Sequence, residues 1–224
     1  MKDLRATFYD LRGYLIPGCI FLWGIIVFIN ACGYCIDLTS LNPLSPTAYL
    51  IFFLVFAYTL GHLLHAISNQ TIDHLPFASY PPKNYFDSTF DEIFSEETKD
   101  ALVTAIARFT GAVPPPASLK KNFTKNEYWT CFQYVMFREV AEVETFLSLT
   151  GFYRGMTVGT ALLAFLFLCR GVMAKDASAV WIGVACLASS GFFLKRVERF
   201  SRYLATTSYL NFLYLSKGSP STTK

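Results

Sequence analysis

Residues 48–74 read AYLIFFLVFAYTLGHLLHAISNQTIDH, an apolar run that turns polar toward its end. Because a helix that spans a bilayer needs about 20 mostly apolar residues, this stretch is long enough to be one. Four of its polar side chains recur at offsets of four, three and four, which places them on one helix face: Tyr58, His62, His65 and Asn69. We call these four residues the polar stripe. Ionisable groups in a span normally face protein or water, so the polar stripe is the first candidate for a functional site.

The composition of the whole chain places this stretch in a membrane protein. Of 224 residues, 53% are hydrophobic and 16% are charged, whereas soluble domains carry about 25% charged residues. We therefore predict an all-α membrane protein with four transmembrane helices, a helical cytoplasmic insert and a C-terminal cytoplasmic helix. The four apolar runs behind this prediction are Tyr14 to Cys32, Ala48 to Ala66, Met156 to Val172 and Ala177 to Leu194.

Basic residues set the expected orientation of these spans. The loop 33–47 between the first two spans has no Lys or Arg, whereas three basic residues lie within residues 1–12 and four within residues 195–202. Since cytoplasmic flanks carry the excess of Lys and Arg, we expect a multi-pass membrane protein with both termini in the cytoplasm. The net charge of +3 is too small to indicate a nucleic-acid-binding surface.

We divide the chain at the ends of the predicted spans. Residues 1–66 hold a short N-terminal interfacial helix and the first two spans, and residues 67–150 form the cytoplasmic helical insert. Residues 151–194 hold the last two spans. Residues 195–224 form a C-terminal amphipathic helix followed by a disordered tail.

Two helices are expected inside the insert. Ser95 as N-cap and Gly111 just past the end delimit the first helix. The second begins at the capping-box residue Thr124, and its apolar residues keep helical spacing as far as Leu149. We expect Gly151 to break or kink this helix just before the third span.

Three interpretations of the polar stripe are open at this point. His62 and His65 could bind zinc with Asp73 or His74 as a third ligand, but their offset of three aligns two imidazoles less well than the offset of four in zinc-binding helices. The stripe could instead line a pore or gate made by several copies of the chain. The third interpretation is interhelical hydrogen bonding that satisfies buried polar groups. Our working hypothesis is the pore or gate lining, and we expect no metal.

Cys32 and Cys35 form a C-x-x-C pair at the outer end of the first span, where an oxidising compartment favours a disulfide. A structural disulfide or two idle thiols is one interpretation. The other is a membrane thiol oxidoreductase, but such an enzyme needs a second outer cysteine pair and this chain offers only Cys169 near its second outer turn. The sequence contains no Gly-rich phosphate loop and no nucleophile elbow. We therefore expect neither an enzyme nor a cofactor.

Five arginines form the second candidate site. Three of them follow the fourth span, where anionic lipid headgroups lie, and two flank the entry to the third span. Because a guanidinium forms paired hydrogen bonds with a phosphate, a phosphate-bearing ligand is the alternative to lipid. The candidates for binding lipid or ligand phosphate are Arg138, Arg154, Arg196, Arg199 and Arg202.

Four short motifs lie at the span boundaries: Phe8-Tyr9-Asp10-x-x-Gly13-Tyr14-x-x-Pro17-Gly18, Gly61-His62 with Ser68, Phe152-Tyr153-Arg154, and Arg196-x-x-Arg199-Phe200. Together they resemble the Hailong-type membrane effectors, a group of bacterial four-span proteins found with phage-defence genes. The resemblance covers the span layout of most of the chain but not the insert. It implies an oligomeric channel of the bacterial inner membrane that opens when a nucleotide-derived signal, made by a partner nucleotidyltransferase, binds on the cytoplasmic side.

The sequence therefore predicts an oligomeric membrane ion channel or pore-forming effector of a bacterial anti-phage defence system. One four-span subunit has too few helices to enclose a pore, so the prediction requires a homo-oligomer in the lipid bilayer, a tetramer or a similar ring. One alternative is a non-conducting scaffold or sensor subunit that docks a soluble partner through the insert. The other is the thiol oxidoreductase that uses Cys32 and Cys35.

Overall fold

The computed structural model describes residues 10–34, 45–75, 94–110 and 125–218. Within these ranges the chain forms six α-helices and no strand. A π-helical turn, Leu11–Leu15, leads into the first helix, and a 3-10 turn, Ile72–His74, follows the second. The helices are α1 (Ile16–Ala31), α2 (Pro46–Thr71), α3 (Glu96–Thr110), α4 (Lys125–Phe137), α5 (Ala141–Ala174) and α6 (Ala177–Gly218).

Among the described residues, four stretches of helix are long and apolar enough to cross a membrane. Their number and composition confirm the predicted all-α, four-span fold and indicate a multi-pass membrane protein. The fourth predicted span and the C-terminal helix are one continuous helix, α6. The candidate spans are Leu11–Ala31, Thr47–His74, Ala141–Ala174 and Ala177–Lys217.

Two helix starts follow from local hydrogen bonding. The hydroxyl of Ser45 accepts a hydrogen bond from the backbone N–H of Ala48 at 3.3 Å, which satisfies a donor that the first turn of α2 leaves unbonded. The hydroxyl of Ser95 accepts from the N–H of Thr98 at 3.3 Å and serves α3 in the same way. Ser95 is thus the N-cap that the sequence predicts.

The chain divides into two compact units. The first, which we call the span unit, comprises residues 1–73 and 148–197. The second, which we call the insert unit, comprises residues 74–147 and 198–224. Helices α5 and α6 supply residues to both units, and each unit has a core of its own.

Glycines bring the first two helices of the span unit together. A Cβ atom on Gly18 would lie 1.7 Å from the backbone oxygen of Ala57. One on Gly61 would lie 2.0 Å from the backbone oxygen of Tyr14. Any larger residue would collide with backbone at these positions. Membrane helices associate through such small residues because lipid offers little hydrophobic drive for their contact.

Helices α5 and α6 pack within the span unit by a small residue and a polar bond. The hydroxyl of Ser190 donates to the carbonyl oxygen of Thr157 at 2.9 Å, and the bond is buried. A Cβ atom on Gly183 would lie 2.7 Å from Cγ of Leu168. Both contacts are of the kind that joins helices inside a bilayer.

The insert unit has a core of large apolar and aromatic side chains. The ring of Tyr209 meets that of Tyr128 at 5.8 Å and that of Phe94 at 6.3 Å, both edge-on. Burial of such rings is the main drive for folding in water. The buried core residues are Phe94, Leu102, Val103, Ile106, Tyr128, Cys131, Phe132, Val135, Val143, Leu204, Ala205, Tyr209 and Phe212.

The single helix predicted over residues 124–149 is wrong. The structure has two helices there, α4 and α5, separated at residues 138–140, where Glu139 has a φ of 55°. A break at Gly151 is also wrong, because α5 continues through that position, whereas a kink there remains a prediction. A Cβ atom on Gly151 would be in ordinary contact with the ring of His65, 3.8 Å from Cε1. This glycine therefore lies at a helix contact and does not end a helix.

Some predictions fall outside the described residues. They concern most of the N-terminal interfacial helix (residues 1–9), Cys35, the helix end at Gly111, the helix start at Thr124, and the tail 219–224. These remain predictions.

Candidate functional site

The half of the polar stripe nearer the start of α2 forms an aromatic cluster with the π-helical turn. The ring of Tyr14 stacks on that of His62, with centroids 4.0 Å apart and planes inclined by 16°. Tyr14 also meets His65 edge-on at 5.1 Å, and Tyr58 meets His62 edge-on at 4.5 Å. Two tyrosine rings therefore hold His62 from two directions.

Tyr14 reaches the polar stripe because Gly61 has no side chain. The backbone oxygen of Tyr14 occupies the space that a Cβ atom at position 61 would need. Any other residue at position 61 would push the π-helical turn away from α2 and separate the Tyr14 ring from His62. Gly61 and His62 thus work together, since the first admits the turn and the second receives its ring.

The other half of the stripe contains an ion pair. Arg154 of α5 donates from Nη1 to Oδ1 of Asn69 at 3.1 Å, and from Nη2 to the carboxylate of Asp73. Since Asn69 and Asp73 are four residues apart, their side chains leave the same side of the chain and one guanidinium reaches both. The side chain of Arg154 is 2% exposed, whereas that of Asp73 is 42% exposed. We call Asn69, Asp73 and Arg154 the arginine cluster.

His65 lies between these two halves of the stripe. It is half-buried, and its carbonyl oxygen accepts a hydrogen bond from the hydroxyl of Ser68 at 2.7 Å. Its Nδ1 atom is buried and has no hydrogen-bond partner among the described residues. Its ring packs against Tyr14. In this arrangement the Nδ1 atom of His65 adds no hydrogen bond to the site.

The position of the stripe along α2 sets its depth in a membrane. At 1.5 Å per residue, His62 lies about 22 Å and Asp73 about 39 Å from Thr47 along the helix direction. The hydrocarbon core of a bilayer is about 30 Å thick. With Thr47 at one boundary, His62 lies within the core, Asn69 near the far boundary and Asp73 beyond it. In that placement the arginine cluster would lie at the membrane interface.

No protein-family model, curated protein or solved structure matches this chain. The polar stripe and the arginine cluster are therefore the features from which function is inferred.

From sequence alone, the residues of this site fall into separate groups. Arg154 is a candidate phosphate-binding residue, Asp73 is an alternative zinc ligand, and Tyr14 is not a candidate. A signal for Tyr14 and Arg154 exists in the boundary motifs, which contain both. Asp73 follows Asn69 at the spacing of the stripe, so the same periodicity could have included it. Its pairing with Arg154, 81 residues away, has no local signal.

Zinc binding at the stripe gains no support from the structure. His62 and His65 both contact the Tyr14 ring, and the carboxylate of Asp73 binds Arg154. Among the residues that the structure describes, no three His, Cys, Asp or Glu side chains are grouped so that they could hold a metal ion.

The other four candidate arginines each contact a side chain four residues away. Three lie over aromatic rings at 5.1 to 5.5 Å, and the fourth binds a carboxylate at 2.8 Å. Their binding of lipid or ligand phosphate remains a prediction. The pairs are Arg138 with Tyr134, Arg196 with Phe192, Arg199 with Tyr203, and Arg202 with Glu198.

The C-x-x-C pair is described only in part. Cys32 is half-buried and follows the last residue of α1, with its N–H bonded to the backbone oxygen of Phe28 at 3.0 Å. Cys35 lies outside the described residues. The disulfide between them remains a prediction.

Proposed function

We propose that this chain is one subunit of an oligomeric membrane ion channel that serves as an effector of a bacterial anti-phage defence system. The observation that carries the proposal is His62, which lies inside a candidate membrane span yet is exposed in a single subunit. A polar ring that faces lipid is unfavourable. Water or a further copy of the chain must therefore cover this face, and a ring of copies around a water-filled axis provides both.

The surface of α2 supports this arrangement. Its polar edge includes Tyr58, which is 38% exposed. Its apolar surface includes Phe52, Phe56 and Leu63, which are 54%, 62% and 54% exposed. In the proposed ring, the apolar side chains face lipid and the polar edge faces the axis. Because the described residues of one subunit hold four candidate spans, too few to enclose a pore, several copies are needed, and we propose a tetramer or a similar ring.

The proposed signal is nucleotide-derived and acts from the cytoplasmic side. This part rests on the resemblance of the boundary motifs to the Hailong-type effectors. Arginines of the insert unit offer suitable chemistry, since Arg138 and Arg199 are exposed and the Arg202 side chain is 40% exposed. A guanidinium that lies over an aromatic ring keeps N–H groups free to bind a phosphate.

Ion flux from liposomes that contain the purified full-length chain tests this function. The signal is supplied as the products that a nucleotidyltransferase partner of a Hailong-type effector forms from nucleoside triphosphates. We expect flux with these products, and His62→Ala should change the flux or its ion selectivity. Leu63→Ala, which alters an exposed apolar side chain next to His62, is the matched control and should behave as the original chain. Absence of flux under every condition, or an unchanged His62→Ala protein, would contradict the proposal.

A non-conducting scaffold or sensor is the second candidate, and one observation favours it. Tyr14 and Arg154 tie the polar stripe to the π-helical turn and to α5 within one subunit. These contacts satisfy part of the stripe without any pore. Chemical cross-linking in native membranes distinguishes the candidates. Recovery of monomers with a bound soluble protein would favour the scaffold, whereas recovery of closed homo-oligomers would favour the channel.

A further inference from the structure

The arginine cluster joins two spans through partners of very different exposure. Arg154 is 2% exposed, so its cation has little contact with solvent, whereas the Asp73 side chain is 42% exposed. Removal of one partner from a buried ion pair is strongly unfavourable, because the remaining charge is held away from water. The exposed carboxylate bears no comparable penalty when it separates, since water solvates it. The ion pair is therefore stable while closed, and Asp73 is the partner that can leave.

Asp73 also lies where a small movement can break its bond to Arg154 and leave α2 intact. It lies beyond the end of α2, in the 3-10 turn Ile72–His74. The preceding residue of that turn, Ile72, is 4% exposed and fixes the turn to the span unit. Rotation of the Asp73 side chain, or fraying of this one turn, would separate the carboxylate from Arg154 without disturbing the rest of α2.

The guanidinium also links the ion pair to the polar stripe. Arg154 donates to Asn69, the last residue of the stripe, through a different nitrogen from the one that binds Asp73. One fork of hydrogen bonds thus fixes both residues at once. Loss of the Asp73 bond would leave Arg154 held to α2 by the neutral amide of Asn69, which is a weaker acceptor than a carboxylate.

We infer that Arg154 and Asp73 form a latch that holds the end of α2 against α5, and that opening of this latch is the local step that releases the polar stripe. The gating role of the latch rests on the proposed channel function, whereas its structural role does not. The latch explains why an arginine that could have bound phosphate is instead enclosed in the span unit.

Hydrogen–deuterium exchange of the full-length chain in lipid nanodiscs tests the latch, read on the backbone amides of residues 65–73. Asp73→Asn keeps the shape of the side chain and removes its charge, and Asp73→Glu restores the charge. The matched control is Asp176→Asn, which neutralises the carboxylate that lies 3.6 Å from Arg170 in a second ion pair of the span unit. Arg154→Lys keeps the charge of the cation but removes the fork.

We expect Asp73→Asn to speed the exchange of these amides about tenfold or more, since it leaves a buried cation poorly paired. Asp73→Glu and Asp176→Asn should stay within about twofold of the original chain, and Arg154→Lys should fall between. Unchanged exchange in Asp73→Asn would overturn the latch. A rise of equal size in all four spans would also overturn it, because that is general unfolding.

Liposome flux of the same variants separates the latch from the channel function. If Asp73→Asn speeds local exchange but no variant ever conducts, the latch stands and the channel proposal fails. If Asp73→Asn conducts without a signal while its exchange is unchanged, the channel stands and the latch fails. Faster local exchange together with signal-independent flux supports both.

Discussion

The helices of the span unit and those of the insert unit pack through different kinds of contact. The insert unit fills its core with rings, and Tyr209 and Phe212 are both fully buried. The span unit brings backbones together instead, so that Gly18 and Gly61 leave no room for a Cβ atom. The difference matches the solvent that we expect around each unit. Burial of large apolar side chains drives folding in water, whereas helices in lipid gain more from close backbone contact and polar bonds.

This contrast predicts that opposite kinds of substitution destabilise the two units. The insert unit should be sensitive to the loss of volume, and the span unit should be sensitive to its addition. Loss of a polar bond should also destabilise the span unit more, because in lipid little water is available to replace the lost hydrogen-bond partner. The stability predictions that follow are ordered by the size of the expected effect.

Truncation of an insert-unit ring should have the largest effect. Phe212→Ala removes a fully buried ring that meets Phe109 and Tyr134 edge-on at 5.9 and 5.4 Å. We expect a loss of about 3–5 kcal/mol in the free energy of unfolding, measured by denaturant titration of the full-length protein in detergent. Phe137→Ala, at a phenylalanine that is 83% exposed, should change that free energy by less than about 0.5 kcal/mol. Equal effects of the two variants would contradict a ring-based core.

Addition of one methyl group should have the next largest effect, in the span unit. Gly61→Ala places a Cβ atom against the backbone oxygen of Tyr14, so we expect destabilisation of about 1–3 kcal/mol. Gly191→Ala is the matched control, because a Cβ atom there meets open space in the described part of the chain. That variant should be neutral or more stable by about 0.5–1 kcal/mol, since alanine favours a helix over glycine. Thermal unfolding in nanodiscs measures both, and a neutral Gly61→Ala would contradict close backbone packing.

The thiol of Cys131 should report the tightness of the insert-unit core. Burial raises the pKa of this thiol, so less reactive thiolate is present at any given pH. At pH 8 we expect N-ethylmaleimide to modify Cys131 at least about tenfold more slowly in the folded protein than in denaturant. Cys169, which is exposed in the span unit, is the internal comparison, and mass spectrometry of peptides measures both. Rapid modification of Cys131 in the folded protein would indicate a loosely packed core.

The raised pKa of Cys131 also makes the stability of the insert unit depend on pH, and the direction of this dependence can be worked out. The thiol in the unfolded chain ionises near its ordinary pKa of about 8.5, whereas the buried thiol stays protonated. The unfolded state therefore gains stability relative to the folded state as the pH rises above that value. The free energy of unfolding of the insert unit should therefore fall as the pH rises above about 8.5. Below that pH, Cys131 should not change it.

An exposed ion pair should have the smallest effect. Arg202 binds Glu198 one helical turn away at 2.8 Å, with side chains 40% and 33% exposed. Arg202→Ala should therefore cost no more than about 0.5–1 kcal/mol in the free energy of unfolding. The same denaturant titration measures Arg202→Ala and Phe212→Ala. If Arg202→Ala lost as much free energy of unfolding as Phe212→Ala, the prediction would be wrong, and this ion pair would be a main source of stability in the insert unit.

Local patterns predict much of this fold from sequence. The apolar runs give all four spans, and the helical spacing of the polar stripe gives the common face of Tyr58, His62 and His65. The pairing of Asp73 with Arg154 is not predictable in this way, because it depends on how two distant helices pack. Spacing along one helix carries no information about which residue of another helix lies opposite.

Two predictions about helix ends are wrong, and both have physical reasons. The turn between α4 and α5 has the sequence Arg138-Glu139-Val140, which contains neither Gly nor Pro, so no turn signal marks it. Gly151 gives the opposite error, because glycine ends helices in water but serves as a contact residue between helices in a membrane.

The pore position of the polar stripe can be tested with a cysteine at position 62. His62→Cys channels are opened with the nucleotidyltransferase products in a planar bilayer, and a water-soluble methanethiosulfonate reagent is then added. The proposal predicts that the current falls in His62→Cys and stays unchanged in Leu63→Cys and in the original chain, because position 62 lines the water-filled axis whereas position 63 faces lipid. Conducting His62→Cys channels whose current is unaffected by the reagent would contradict it.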